Sequence, residues 1–168
     1  MNWGEDREKH KALPVGNMWL RKALKVYGKT KRPNFLDTTK KCVLLSMQSP
    51  EEGSEIIPDY ILNFINKNED FVWLIKPHPN CVLTKSYANQ LIKKNPRRLV
   101  DVSWVANQSI YQLLCWSDFH ITSYSTVVYE AVFFKVPSAV WSFNGRKLYE
   151  KDIKQKVIAD VSNHQKLL

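Results

Sequence analysis

From Lys41 onward, short apolar runs alternate with segments whose apolar residues recur every three or four positions. The clear runs are Cys42–Met47, Phe71–Ile75, Phe119–Thr122 and Ser138–Trp141. Each is short for a helix and is continuously apolar, the mark of a strand covered on both faces. Arg98–Val102 reads as a weaker strand, and Val157–Ala159 as the start of a last one. Between the runs, Ile57, Tyr60, Ile61, Phe64 and Ile65 keep helical spacing, with Pro58 tolerable in a first turn. So do Tyr87, Leu91 and Ile92 before Pro96; Ile110, Leu113 and Leu114; and Val127, Val128, Ala131 and Phe134. Leu148 to Lys156 is read as a final helix. Strands alternating with helices predict right-handed crossovers and a parallel sheet of about five or six strands flanked by helices, an α/β fold. Ligands of such sheets bind beyond the carboxyl ends of the strands, so the residues that follow each run are the candidates for chemistry.

Residues 1–40 lack this alternation. A charged start is followed by the amphipathic piece Trp19, Leu20, Ala23 and Leu24, and then by Gly28–Pro33, which reads as a loop. This predicts a linker or peripheral segment over 1–40 and one compact domain over 41–168. No apolar run approaches the length of a membrane span, and the polar first residues do not resemble a signal peptide. Cys42, Cys81 and Cys115 are scattered and lack metal-ligand spacing, which reads as reduced thiols in a cytoplasmic protein. The net charge of +9 favours anionic partners: nucleotides, or the anionic surface of the inner membrane face. Nucleic acid is disfavoured, because no zinc-finger, RNA-recognition or basic-zipper pattern is present.

The first candidate site is Lys76-Pro-His-Pro79, directly after the second run. Pro77 and Pro79 restrict the backbone on both sides of His78, presenting its ring toward a cleft, where it can donate to a phosphate oxygen. The second is Thr122-Ser-Tyr-Ser-Thr126, between the Phe119 strand and the next helix. Ser125 or Thr126 can cap that helix, and Ser123, Ser125 and Thr126 can also donate to an anion. Glu130 lies one turn further on; it is either an exposed helix residue or a carboxylate for ribose hydroxyls. Gln48 and Ser49 face the same edge, although Ser49-Pro-Glu-Glu52 also fits a capping box. Asp118 reads as a turn residue, His120 as a structural strand histidine, and His10 and His164 have no partner motif. The five glycines are isolated, which excludes the Gly-rich dinucleotide and phosphate loops. No cofactor and no metal cluster is indicated, and no catalytic residue is assigned.

Taken together, Lys76–Pro79, His120–Thr126, Glu130-Ala131 and Val136-Pro137 resemble the C-terminal, donor-nucleotide-binding domain of GT-B glycosyltransferases. The likeness is nearest to capsule and teichoic-acid enzymes of the CDP-glycerol glycerophosphotransferase and bacterial polysialyltransferase kinds. It covers about residues 12–160, and Leu13–Asn17 looks like the segment that enters this domain from a preceding half. The resemblance implies a Rossmann-like sheet, half of a GT-B fold. It also implies that His78, Ser125 and Thr126 hold the phosphates of a CMP-, CDP- or UDP-linked donor. Transfer of a sugar or polyol phosphate in bacterial surface-polysaccharide synthesis would follow, with the acceptor bound by an N-terminal domain or partner subunit that this chain lacks. The alternatives are a UDP-sugar 2-epimerase-like isomerase, whose Ser-Gly-Gly turn is Ser125-Thr126-Val127 here, and a non-catalytic basic nucleotide- or anion-binding module.

Overall fold

The computed structural model of the chain describes residues 17–50, 55–94 and 99–163. In chain order its elements are α1 (Met18–Tyr27), β1 (Lys41–Ser46), α2 (Asp59–Lys67), β2 (Phe71–Lys76) and α3 (Val82–Lys94), followed by α4 (Val102–Asn107) and α5 (Ile110–Trp116). The second part comprises β3 (Phe119–Thr122), α6 (Val127–Phe133), β4 (Ser138–Val140), α7 (Phe143–Leu148), α8 (Glu150–Lys154) and β5 (Ile158–Asp160). The five strands form one sheet in the order β2-β1-β3-β4-β5, and every pairing is parallel. This is the Rossmann-like α/β architecture that the alternation predicts.

The continuous apolar runs are explained by the two layers they serve. On one face, Val43 and Leu45 of β1 pack with Ile57, Ile61 and Ile65 of the α2 region and with Ala88 and Leu91 of α3. On the other, Cys42, Leu44 and Leu74 meet Val105, Leu113, Leu114 and Ala131. A third cluster joins Val128, Val140, Tyr149 and Ile158 under the short strands. Residues 17–40 pack onto this domain: Leu36 is buried in the second cluster, and Leu20 and Ala23 of α1 are buried as well. Arg32 reaches Asp118 at 2.8 Å, and the same carboxylate oxygen accepts the Cys42 amide at 2.7 Å. Asp118 is thus a clamp at the amino ends of β1 and β3. Burial pushes its carboxyl up, but the Cys42 amide and the Arg32 guanidinium outweigh that and hold it below the usual range.

Two expected elements differ. Of the strand expected at Arg98–Val102, the described part contributes only Leu99, which makes an isolated parallel bridge to Trp73. The chain then leaves the sheet, because Asp101 caps α4 by accepting the Trp104 amide at 2.8 Å. The helix expected over Leu148–Lys156 is broken at Tyr149, whose fully buried side chain joins the core and divides α7 from α8. The expectations that involve His10, Leu13–Gly16, Glu51-Glu52 and His164 lie outside the described residues.

Candidate functional site

Three turns meet at the carboxyl edge of the sheet. The first follows β2 and carries His78. The His78 amide donates to Thr84 Oγ1 at 3.2 Å, and Thr84 Oγ1 donates in turn to the Cys81 carbonyl at 2.9 Å, which fastens the turn to the start of α3. His78 Nδ1 accepts the Asn80 amide at 3.3 Å. In the neutral ring the proton is therefore on Nε2, and Nε2 has no partner among the described residues. The half-buried ring thus offers one spare donor. Lys76, at the end of β2, is otherwise engaged: its Nζ donates to the carbonyls of Val105, Ala106 and Gln108 at 3.3, 3.0 and 2.9 Å. It caps the end of α4 and braces the strand from which His78 projects, and burial pulls its pKa down.

The second turn follows β3 and carries Ser123, Ser125 and Thr126. Its frame is a polar ladder across the sheet. Thr122 Oγ1 donates to the Ser46 carbonyl at 2.7 Å and accepts the Ser125 amide at 3.4 Å. Below it, His120 is bound on both ring nitrogens, by Ser46 Oγ at 2.8 Å and Ser138 Oγ at 3.0 Å. Burial drives this histidine's pKa down to about 3, so it is neutral and structural, as the sequence indicates. Ser125 is the working cap of α6: its Oγ accepts the Val127 amide at 3.3 Å, and its carbonyl accepts the Val128 amide. Thr126 makes no side-chain cap bond and is exposed. Ser123 is buried, and its carbonyl accepts Ser142 Oγ at 2.9 Å.

The third turn, Met47–Pro50, links the other two. Tyr124 OH donates to the Ser49 carbonyl at 2.8 Å. On the other side, Ser49 is among the groups that hold the thiol of Cys81, three residues past His78, below its usual range, after the Thr84 backbone. The strand ends of His78 and Ser123 are therefore not adjacent: β1 lies between β2 and β3, and its turn forms the floor between them. Gln48, Ser49, Glu55, Ser123, Tyr124 and Ser142 line a cleft of about 230 Å³ at this edge. His78, Ser125, Thr126 and Glu130 stand outside that cleft's lining.

Glu130 is not the fully exposed helix residue of the simpler expectation. Its side chain is partly buried, one oxygen has no hydrogen-bond partner, and burial pushes its carboxyl upward. It neighbours Tyr149, whose phenol is raised to about 12 by burial first and by Tyr129 and Glu130 after that. Tyr149 OH donates to the Ser125 carbonyl at 2.8 Å, which ties Glu130's surroundings to the same turn. Sequence reasoning missed Ser142, Tyr149 and Gly145. A Cβ on Gly145 would stand 1.9 Å from the Ser123 carbonyl oxygen, so only glycine lets α7 approach the turn. Ser142 accepts the Gly145 amide at 2.9 Å as it donates to Ser123; a serine three residues before an isolated glycine was the available signal.

Among solved structures, a variant of the wall teichoic acid polymerase TagF superposes with a TM-score of 0.51 at 19% identity, covering 77% of this chain and 30% of that one. TagF soaked with CDPG gives 0.50 at 21% identity, covering 79% and 30%. S. aureus MnaA in its co-structure with UDP gives 0.51 at 15% identity, covering 86% and 44%. These likenesses show the fold, and the chain spans less than half the length of each of these proteins. A comparison with curated proteins finds no match. Residues 56–164, well over half of the chain and including the turns of His78 and of Ser123–Thr126, match the family model described as CDP-Glycerol:Poly(glycerophosphate) glycerophosphotransferase, and the chain belongs to that family.

Proposed function

We propose that residues 41–163 form the donor-binding wall of a transferase that moves a polyol or sugar phosphate from a nucleotide-activated donor of the CDP-glycerol class onto a surface polymer. The acceptor wall would come from another domain or subunit, and residues 1–40 would act as the peripheral connection. The observation that carries this reading is the spare Nε2–H of His78, held at the same carboxyl edge as the hydroxyls of Ser123, Ser125 and Thr126. A diphosphate lying across the Met47–Pro50 floor would span both turns. The acceptor hydroxyl attacks the phosphorus of the transferred polyol or sugar phosphate, a new P–O bond forms, and the bond from that phosphorus to the bridging oxygen breaks. The nucleoside monophosphate leaves with that oxygen and its electron pair. The acceptor's proton goes to a base on the opposite wall. The contribution of this chain is charge: preorganised donors stabilise the negative charge that grows on the leaving phosphate. In this reading Glu130 would accept from ribose hydroxyls. Family membership favours a cytidine nucleotide, and MnaA, a relative in fold, has been captured with UDP.

The test is a titration of the chain with CMP, CDP, UDP, GDP and a short RNA, read by calorimetry and thermal shift. Preferential binding of CMP and CDP is expected. Binding of UDP alone would move the assignment to the epimerase-like reading. Failure of every nucleotide to bind would remove the donor-wall assignment.

A further inference from the structure

We propose that Arg146, on α7, holds a phosphodiester of the acceptor polymer, one polyol unit away from the hydroxyl that attacks. That the acceptor is a polyol phosphate rests on the reading above; the anion site itself is read from the arginine. Arg146 is half-buried, and its Nε is shut off from solvent with no hydrogen-bond partner. Among the described residues its guanidinium forms no ion pair and donates no hydrogen bond; its carbon lies 5.9 Å from the centre of the Phe143 ring. A buried arginine donor without an acceptor is costly, and the planar fork of arginine fits a phosphate. Solvation, which satisfies an ordinary surface arginine, does not reach this Nε.

The fold fastens this arginine to the donor turn. On one side of it, Ser142 Oγ donates to the Ser123 carbonyl at 2.9 Å; on the other, Tyr149 OH donates to the Ser125 carbonyl at 2.8 Å. Gly145 is pressed so closely on Ser123 that a Cβ has no room. Ser142 and Phe143 also line the cleft of about 230 Å³, together with Gln48, Ser49 and Tyr124. Arg146 lies one turn beyond Phe143, and its charge acts on the phenol of Tyr60 at the start of α2. It therefore stands on the β4 side of the Ser123 turn, whereas His78 stands on the β2 side. A polyol unit in the cleft would have the donor turn at one end and the guanidinium at the other. The hydroxyls of Ser142 and Tyr60 are spent on main-chain carbonyls, so the guanidinium supplies the bonds to the anion. Asp160 and Glu55 act on the same phenol as Arg146. One cation beside two carboxylates suits a single negative charge, the diester within a chain, better than the nearly double charge of a phosphate monoester.

The full, isotope-labelled chain is titrated by NMR with a diglycerol phosphodiester, with glycerol monophosphate, with an adenosine dinucleotide and with CDP. The diester is expected to shift the Nε–H signal of Arg146. Arg146→Gln should weaken diester binding by about tenfold or more and leave CDP affinity within about twofold. Arg146→Lys, which keeps the charge without the fork, should fall between parent and glutamine variant. Lys94→Gln, an equal loss of charge on α3, should leave diester affinity within about twofold, since charges beyond a Debye length contribute little. The melting temperature of Arg146→Gln should not fall, because the side chain gives up no hydrogen bond within the described residues. An unmoved Nε–H signal, unchanged diester affinity in Arg146→Gln, or an equal loss of CDP affinity would overturn the proposal. So would a marked fall in melting temperature, or tighter binding of the monophosphate or of the dinucleotide, the last pointing to nucleic acid. Diester binding through Arg146 without CDP binding would leave this site standing and remove the donor reading; CDP binding without diester binding would do the reverse.

Discussion

His120 and His78 both belong to strands of one parallel sheet, yet the protein treats them in opposite ways. His120 lies inside β3, and serines from the strands on either side bind both ring nitrogens. His78 lies two residues beyond β2, and among the described residues only its Nδ1 is bound. In the sheet interior the fold gives both nitrogens of His120 a partner, since an unmet buried group there is costly. At the carboxyl edge one donor is left over, on a backbone made stiff by two prolines. Where the chain consumes both nitrogens, the histidine holds strands together. Where it leaves one free in a fixed direction, the histidine can hold a ligand.

The sharpest way to break this comparison begins in the interior. His120→Ala removes a buried ring and strands the Ser46 and Ser138 hydroxyls, so the loss of stability should be about 3 kcal/mol. For a chain of this size that is a fall in Tm of roughly 6–12 °C by calorimetry. The folded fraction should still bind nucleotide normally. The same ring should produce a pH signature. Its folded pKa of about 3 lies below the unfolded value of 6.5, so the unfolded chain takes up a proton that the folded chain refuses. Stability is then fully present above pH 6.5 and declines as pH falls, approaching about 1.4 kcal/mol per pH unit. Urea melts between pH 6.5 and 5, above most carboxylate titration, should show this decline in the parent chain and lose most of it in His120→Gln.

A second substitution tests whether the edge turn depends on close packing. Gly145→Ala forces a Cβ into the Ser123 carbonyl. It should cost about 1–3 kcal/mol, as overpacking does, and should weaken nucleotide binding too, because the displaced carbonyl belongs to the turn. Normal stability in this variant would show that α7 moves away freely.

The smallest effects separate the two hydroxyls of that turn. Ser125→Ala should lose about 1 kcal/mol of stability with the cap of α6, whereas Thr126→Ala, with no cap bond to lose, should stay within about 0.5 kcal/mol. If both hydroxyls touch phosphate, both variants should bind nucleotide less well. Equal melting temperatures for the two would show that Ser125 is not the cap.

The strands and the order of helices were legible in the sequence because burial on both faces forces continuous apolar runs, as in Cys42–Met47 and Phe71–Ile75. His78 stood out because Pro77 and Pro79 flank it. The order of the strands was not written locally. Nothing in Phe119–Thr122 shows that it pairs with β1, so the Ser46–His120–Ser138 bridge and the floor between the two turns were hidden. The Leu99 segment misled because apolar residues suggested a strand, while Asp101 directed the chain into a helix. Tyr149 and Ser142 escaped because their hydroxyls bind main-chain carbonyls 24 and 19 residues away, a relation without local pattern. Glu130 was ambiguous for a related reason: its burial comes from Tyr149 and the turn, neither of which is near it in the chain.

The most direct measurement is the nucleotide affinity of His78→Ala set beside its melting temperature. A hydrogen bond to a charged phosphate contributes about 1.5–3 kcal/mol, so the dissociation constant for the bound nucleotide should rise roughly tenfold to a hundredfold. The melting temperature should hardly change, because Nε2 has no partner among the described residues. Unchanged affinity in a variant that folds normally would mean that His78 is only a turn residue, and the carboxyl edge would lose its role as the donor site.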